Sequence, residues 1–294
     1  MKRKLVKQGT STMMISLPSK WIRTNNLEKG KEIDISEIEN TLVVSTENNN
    51  SKKETEITLN NAMESSIGTL ITTIYRENFS RVKVNFQNKK SFSILREILD
   101  DQLLGFEVIK KAEDYCIIES ITDPTGEQFD NIFSKLLLNI EDLFEFTEQY
   151  FSGESPKFEK TEDKIIEFDN LCRRIIYREN YPKSELRIDF HSELIHAQRE
   201  LYLLLLVMGK QRLKTGKNEL RLLMDCKNIF EMLKEAYSNK NLELIEKLIV
   251  FEQENYKKAY KELENYNPLV IHHLMNVLRG FYLAASPLAG LILG

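Results

Sequence analysis

The chain has few of the residues that mark disulfide scaffolds, metal knuckles or common catalytic centres. Its three cysteines, Cys116, Cys172 and Cys226, are odd in number and far apart, with no Cys-x-x-Cys pair. That argues against a disulfide framework or a thiolate zinc site and fits a reducing compartment. There are four histidines, His191, His196, His272 and His273, and none forms the His-Glu-x-x-His pattern of a zinc helix. The sequence contains no glycine-rich dinucleotide or phosphate loop, no nucleophile elbow and no paired Cys and His that would suggest a nucleophile. The expectation is therefore a protein that is not an enzyme. Long apolar runs are missing as well. Only Met13–Leu17 follows the charged start, too short for a signal peptide, and the run after Arg279 has 15 apolar or small residues. A membrane helix needs about 20. A cytoplasmic protein without membrane insertion is expected.

What is present is an ordinary globular composition with an uneven charge. Hydrophobic residues make up 41% and charged residues 29% of 294, enough for two or three domains with buried cores. The net charge of −4 hides a basic head: Lys2, Arg3, Lys4, Lys7, Lys20, Arg23, Lys29 and Lys31 stand against Glu28 alone in residues 1–31. A basic head on an acidic body points to a polyanion near the N-terminus.

Three segments are legible. Residues 1–48 read as short strands around one helix, with strands at Lys4–Lys7, Met13–Leu17, Glu32–Ser36 and Thr41–Ser45, a turn at Gln8–Ser11, and a helix over Ser19–Asn26 behind Pro18. A polar linker, Glu47 to Lys53, follows. Residues 52–125 alternate strand and helix in the order β-α-β-α-β-β, which predicts a small α+β sandwich. Residues 127–294 carry apolar positions at three- and four-residue steps in six long segments, broken at Gly153, Pro182, Gly216, Asn239 and Pro268. They predict a six-helix, antiparallel region in a 3+3 division. Phe129, Phe133, Phe144, Phe146, Tyr150 and Phe151 should pack its first helix inward.

The stretch RKLVKQGTSTMMISLPSKWIRTNNLEKGKEIDISEIENTLVVS, residues 3–45, resembles the AbrB/SpoVT swapped-hairpin DNA-binding fold. The basic first strand, the apolar strand ending in Leu17-Pro18, the short helix and the Leu27–Gly30 turn carry the likeness; Lys31 stands where the family usually has Asp. The order of the three segments is similar to archaeal PhoU-like proteins that join such a domain to a small α+β domain and a helical region. The resemblance implies a DNA-binding transcription regulator, tied to phosphate homeostasis, whose helical region senses a signal or docks a protein partner. The alternative is a PhoU-like adaptor for a transporter or kinase, its N-terminal domain serving only to dimerise.

On this reading Lys2, Arg3, Lys4, Lys7, Lys20 and Arg23 contact DNA phosphates, and Gln8, Thr10, Ser11 and Thr12 add hydrogen bonds to phosphates or bases. A unit of about 45 residues buries too little apolar surface to stand alone, so a homodimer through it is expected. Glu159, Asp163 and Glu167 fall on one helical face and, with Asp169, are weak candidates to hold a hard cation. Acids are also favoured in a first helical turn without any ligand. The family's metal helices place a second acid four residues after the first, where this chain has Arg173. Its later metal helix aligns loosely on Arg199-Glu200, and Leu203–Leu206 offers no carboxylate there. No cofactor is therefore expected.

Overall fold

The structure, a computed structural model, describes residues 2–10, 12–38, 41–46, 53–122, 124–179, 181–211, 213, 215–261 and 263–293. It is mixed α+β, with strands at the N-terminus and helices dominating the rest. Two compact units appear, Met1–Lys52 and Lys53–Gly294.

In the N-terminal unit, β1 (Val6–Gln8) and β2 (Thr12–Met14) form an antiparallel hairpin that pairs Val6 with Met14 and Gln8 with Thr12. Gln8 thus belongs to the strand, and Gly9 and Thr10 lie in the turn after it. Helix α1 (Ser19–Thr24) starts behind Pro18, whose missing N–H is no loss at a first turn. Strands β3 (Asp34–Ile38) and β4 (Thr41–Ser45) make a second antiparallel hairpin. The linker lies outside the described residues, except Lys53. No apolar side chain described in this unit is buried; Leu5, Val6, Met13, Ile15, Ile35 and Leu42 are each more than half exposed.

The second unit opens with β5 (Lys53–Leu59), a 3-10 turn (Asn61–Ser66), α2 (Ile67–Arg76), β6 (Phe79–Phe86), α3 (Lys89–Gln102), β7 (Phe106–Lys111) and β8 (Tyr115–Ser120). The sheet order is β5-β6-β8-β7, with β5 and β6 parallel and the other pairs antiparallel. A parallel pair needs a crossover, and α2 supplies it. Strand alternation buries Val82, Val84, Phe86, Cys116 and Ile118 with Ile67, Ile71, Leu95 and Leu99 of the helices. Full burial of each such side chain contributes roughly 1.5–3 kcal/mol. Asn88 caps α3, its side chain accepting the Ser91 N–H at 2.7 Å. Asn88→Ala should cost about 1 kcal/mol, read as a lower urea midpoint at unchanged slope.

Six helices follow: α4 (Phe129–Phe151), α5 (Thr161–Glu179), α6 (Ser184–Lys210), α7 (Lys217–Asn239), α8 (Leu242–Lys261) and α9 (Pro268–Ile292). Helices α6 and α9 make the longest seam, with α4 and α5 packed on α6 and α7 and α8 packed on α9. The seam runs antiparallel and close. A Cβ on Gly280 would stand 2.9 Å from the Ala197 Cβ, and one on Gly290 would stand 2.8 Å from Leu186. Lys183 donates to the Gly290 carbonyl at 2.6 Å, placing a cation at the negative end of α9. Buried Glu219 accepts the N–H groups of Gly216 (2.9 Å) and Asn267 (2.7 Å), tying together the starts of α7 and α9. Among the described residues no helix is long and apolar enough to cross a membrane. Helix α5 also packs on α2 and α3, so the helices of the sheet layer lie between the sheet and α5.

Candidate functional site

The candidate DNA-contact residues that are described are all exposed on the N-terminal unit. Lys2, Arg3 and Lys4 precede β1; Lys7 and Gln8 lie in β1, Thr10 in the turn, and Thr12 at the start of β2. Lys20 and Arg23 are in α1, where Arg23 folds back to the Ser19 carbonyl at 3.4 Å. Ser11 lies outside the described residues. The hairpin register sets Gln8 opposite Thr12 and Lys7 opposite Met13, so cationic and hydrogen-bonding side chains share one short ribbon.

The acidic candidates on α5 are not gathered. Glu159 falls before the helix and is exposed, its carboxylate folded back to accept the Phe158 N–H at 3.1 Å. The expected single helical face therefore loses its first member, because α5 begins two residues later. Asp163 accepts from Gln102 at 3.4 Å, and burial beside other acids raises its carboxyl above the ordinary range. Glu167 is salt-bridged to Lys164 at 2.5 Å.

Asp169 has a different role. It is 1% exposed and accepts from Arg173 Nε at 2.8 Å, His191 Nδ1 at 3.0 Å and Arg76 Nη2 at 3.3 Å. A carboxylate has no proton to give, so His191 holds its proton on Nδ1. Burial alone would raise the Asp169 carboxyl, but the His191 hydrogen bond and the charges of Arg173 and Arg76 outweigh it and hold the group below its ordinary range. Arg173 does not repel a metal from an open site; it helps neutralise a buried acid. Beside it, Asn170 donates to the Gln102 carbonyl at 3.0 Å and accepts from Arg76 Nε at 2.7 Å. Arg174, 1% exposed, donates to the carbonyls of Tyr75 (2.7 Å) and Phe79 (3.1 Å) and lies over the rings of Tyr75 and Phe106. One turn of α5 thus fastens the helical region to the ends of α2 and α3. The pattern Asp-Asn-Leu-Cys-Arg-Arg offers only the Asp169–Arg173 pair, four residues apart on one helix; the other partners lie more than 60 residues away or on the next helix and meet it only when the chain is folded.

The three thiols are free and buried. Burial pushes Cys116 up to about 11 and both Cys172 and Cys226 well above the ordinary thiol range. Cys226 donates to the Leu274 carbonyl at 3.2 Å.

The histidines separate by burial. His191 belongs to the junction, against Phe133 at 5.0 Å between ring centroids, and His196 is exposed on α6. His272 and His273 are adjacent on α9, His272 exposed and His273 mostly covered, with their ring centroids 5.1 Å apart. His273 Nδ1 is 2.8 Å from Glu200 Oε2 on α6. Glu200, His272 and His273 each offer a ligand atom within 4.8 Å of the others, the one group of three such residues among those described. Sequence reading misses it because Glu200 and the His pair are more than 70 residues apart and meet only through the antiparallel register of α6 and α9.

A cleft of about 500 Å³ lies between the end of α3 and helices α4 and α5, lined by Leu104, Gln128, Asn131, Lys135, Phe168 and Leu171 among others. Its size suits a small ligand.

No protein-family model, curated protein or solved structure matches the chain.

Proposed function

We propose that the chain is a DNA-binding transcription regulator that acts as a dimer through residues 1–46, with the helical region as a sensor or partner-docking module. The observation that carries this reading is the N-terminal unit's surface. Its cations and many of its apolar side chains are exposed together, with no buried apolar residue described to hold it alone. Apolar side chains left in water at this density favour association with a like surface. Two copies would set two basic ribbons side by side, the arrangement that matches the two-fold symmetry of a DNA site. The exposed cations would displace counterions from phosphates, which makes affinity steeply dependent on salt. The cleft beside Lys135 is a place for a small effector. The resemblance of residues 3–45 to the AbrB/SpoVT fold supports the same reading.

The test has two parts. Sedimentation should show a dimer for the full chain and a monomer once residues 1–52 are removed. On duplex DNA, Lys4→Ala, Lys7→Ala and Arg23→Ala should each weaken binding alike across sequences. Each should also flatten the salt slope by about one unit for every phosphate that is no longer neutralised. Gln8→Ala should change which sequences are preferred. Lys110→Ala, a cation of the second unit, is the control and should change little. If control and head variants behave alike, or the full chain binds no duplex at moderate salt, the adaptor reading replaces this one.

A further inference from the structure

Helices α6 and α9 bring together a donor set that the proposed DNA-binding role does not use. Glu200 supplies a carboxylate, and His272 and His273 supply two imidazoles, with candidate ligand atoms within 4.8 Å of one another. Two nitrogens and one carboxylate oxygen are the ligands of borderline divalent ions such as Zn²⁺; hard ions such as Mg²⁺ and Ca²⁺ prefer all-oxygen sets. The ligands stand on long helices, not loops. The seam that carries them is fixed by the close approach of Gly280 to Ala197 and of Gly290 to Leu186, so the two backbones cannot separate without giving up tight packing. His273 is mostly covered, its side chain 13% exposed, and already touches Glu200 at 2.8 Å. His272 is exposed and opens the group to solvent. Asn276, one turn further on, lies 3.5 Å from both Glu200 Oε2 and His272 Nε2, where its amide can orient ligands from outside the coordination shell.

We propose that Glu200, His272 and His273 bind one divalent transition-metal ion of the zinc class across the α6–α9 seam, with a fourth position left to water. Tetrahedral ligation at about 2.1 Å places neighbouring ligand atoms about 3.4 Å apart. The Glu200–His273 pair is already closer than that, and the exposed His272 ring supplies the closing movement. The ion takes the place of the proton that Nδ1 of His273 shares with the carboxylate, and the ring changes to the Nε2–H tautomer. Three protein ligands and a solvent position are the composition of an open site, and the ion cross-links the seam of the helical region. This site uses no residue of the acidic face of α5; it does use Glu200, where spacing along α6 offers no second carboxylate and the other two ligands come instead from α9.

The test uses the full chain, stripped with chelator and dialysed. Titration with Zn²⁺ against a chromophoric chelator should show one ion per chain, and Co²⁺ should give visible d–d bands. His272→Ala and His273→Ala should each weaken Zn²⁺ binding by about 100-fold or more, because even outer-shell partners are worth about 10–100-fold. Zn²⁺ should raise the thermal midpoint of the wild-type chain and not that of His272→Ala. His196→Ala and Asp163→Asn should bind as the wild type does. His272 is exposed, so its variant reports even if His273→Ala fails to fold. Absence of saturable Zn²⁺ binding, or binding that survives His272→Ala unchanged, would overturn the proposal. Neither result bears on whether the N-terminal unit binds DNA, so the two readings fail separately.

Discussion

Arg174→Ala is expected to lower the unfolding free energy by about 3–5 kcal/mol, measured as a fall in the urea midpoint at nearly constant slope. Three effects act together. Its guanidinium donates to the Tyr75 carbonyl in the last turn of α2, where the helix dipole favours a cation, and to the Phe79 carbonyl at the start of β6. Charge-assisted hydrogen bonds of this kind contribute about 1.5–3 kcal/mol each. The planar group also lies over the rings of Tyr75 and Phe106, centroids 4.7 and 5.7 Å away, and truncation leaves a cavity between the sheet layer and α5. Removing a buried charge returns part of its desolvation cost, which is why the expected loss stays below the sum of these effects. Arg174→Met keeps the stem packed and should lose less. A loss under about 1 kcal/mol for the alanine variant would show that Arg174 does not fasten the two layers.

The junction around Asp169 should make the protein acid-labile in two stages. His191 is held below its ordinary value of 6.5, chiefly by burial, with Arg173 and Arg187 adding to it against the pull of Asp169. The unfolded chain then binds a proton at this residue that the folded chain does not. Stability therefore falls as pH drops through 6.5 toward the lower folded value. Asp169 is held below its ordinary 3.8: burial would raise it, and the His191 hydrogen bond with Arg173 and Arg76 overcomes burial. A depressed carboxylate contributes stability that is complete above its unfolded value and is lost as pH falls through the folded one. Both groups act in the same direction, so the urea midpoint should fall first below about pH 6.5 and again below about pH 4. His191→Gln should flatten the first stage and leave the second. Asp169→Asn leaves two buried or half-buried guanidinium groups without their acid and should cost about 3–5 kcal/mol near neutral pH. A urea midpoint constant between about pH 7 and pH 5 would contradict this account of the junction.

How far the chain is legible follows from the range over which each feature is determined. The helix breaks are readable because Gly153, Pro182, Gly216 and Pro268 act on their own backbone. The strands β6 and β8 are readable because alternating Val82, Val84 and Phe86, or Cys116 and Ile118, need only a covered face. Helix α3 starts at Lys89, three residues before its first apolar residue, Phe92, so its start is hard to read: the cap at Asn88 is a single side-chain hydrogen bond with no apolar period to announce it. Short strands are harder to bound at their ends: β1 and β2 have three residues each, and their limits depend on the pairing register.

Sequence alone determined the basic head, the order of strands and helices, and the lack of a membrane-length apolar run, since each is a property of local composition or period. Tertiary structure decided the rest. Asp169, a candidate metal ligand by spacing, became the acid at the centre of Arg76, Arg173 and His191. Glu200 met His273 only when α6 and α9 packed antiparallel. The physical reason is the same in both cases. Ionisable groups gain their chemistry from whatever neutralises or excludes water around them, and in a packed helical protein those neighbours come from distant parts of the chain.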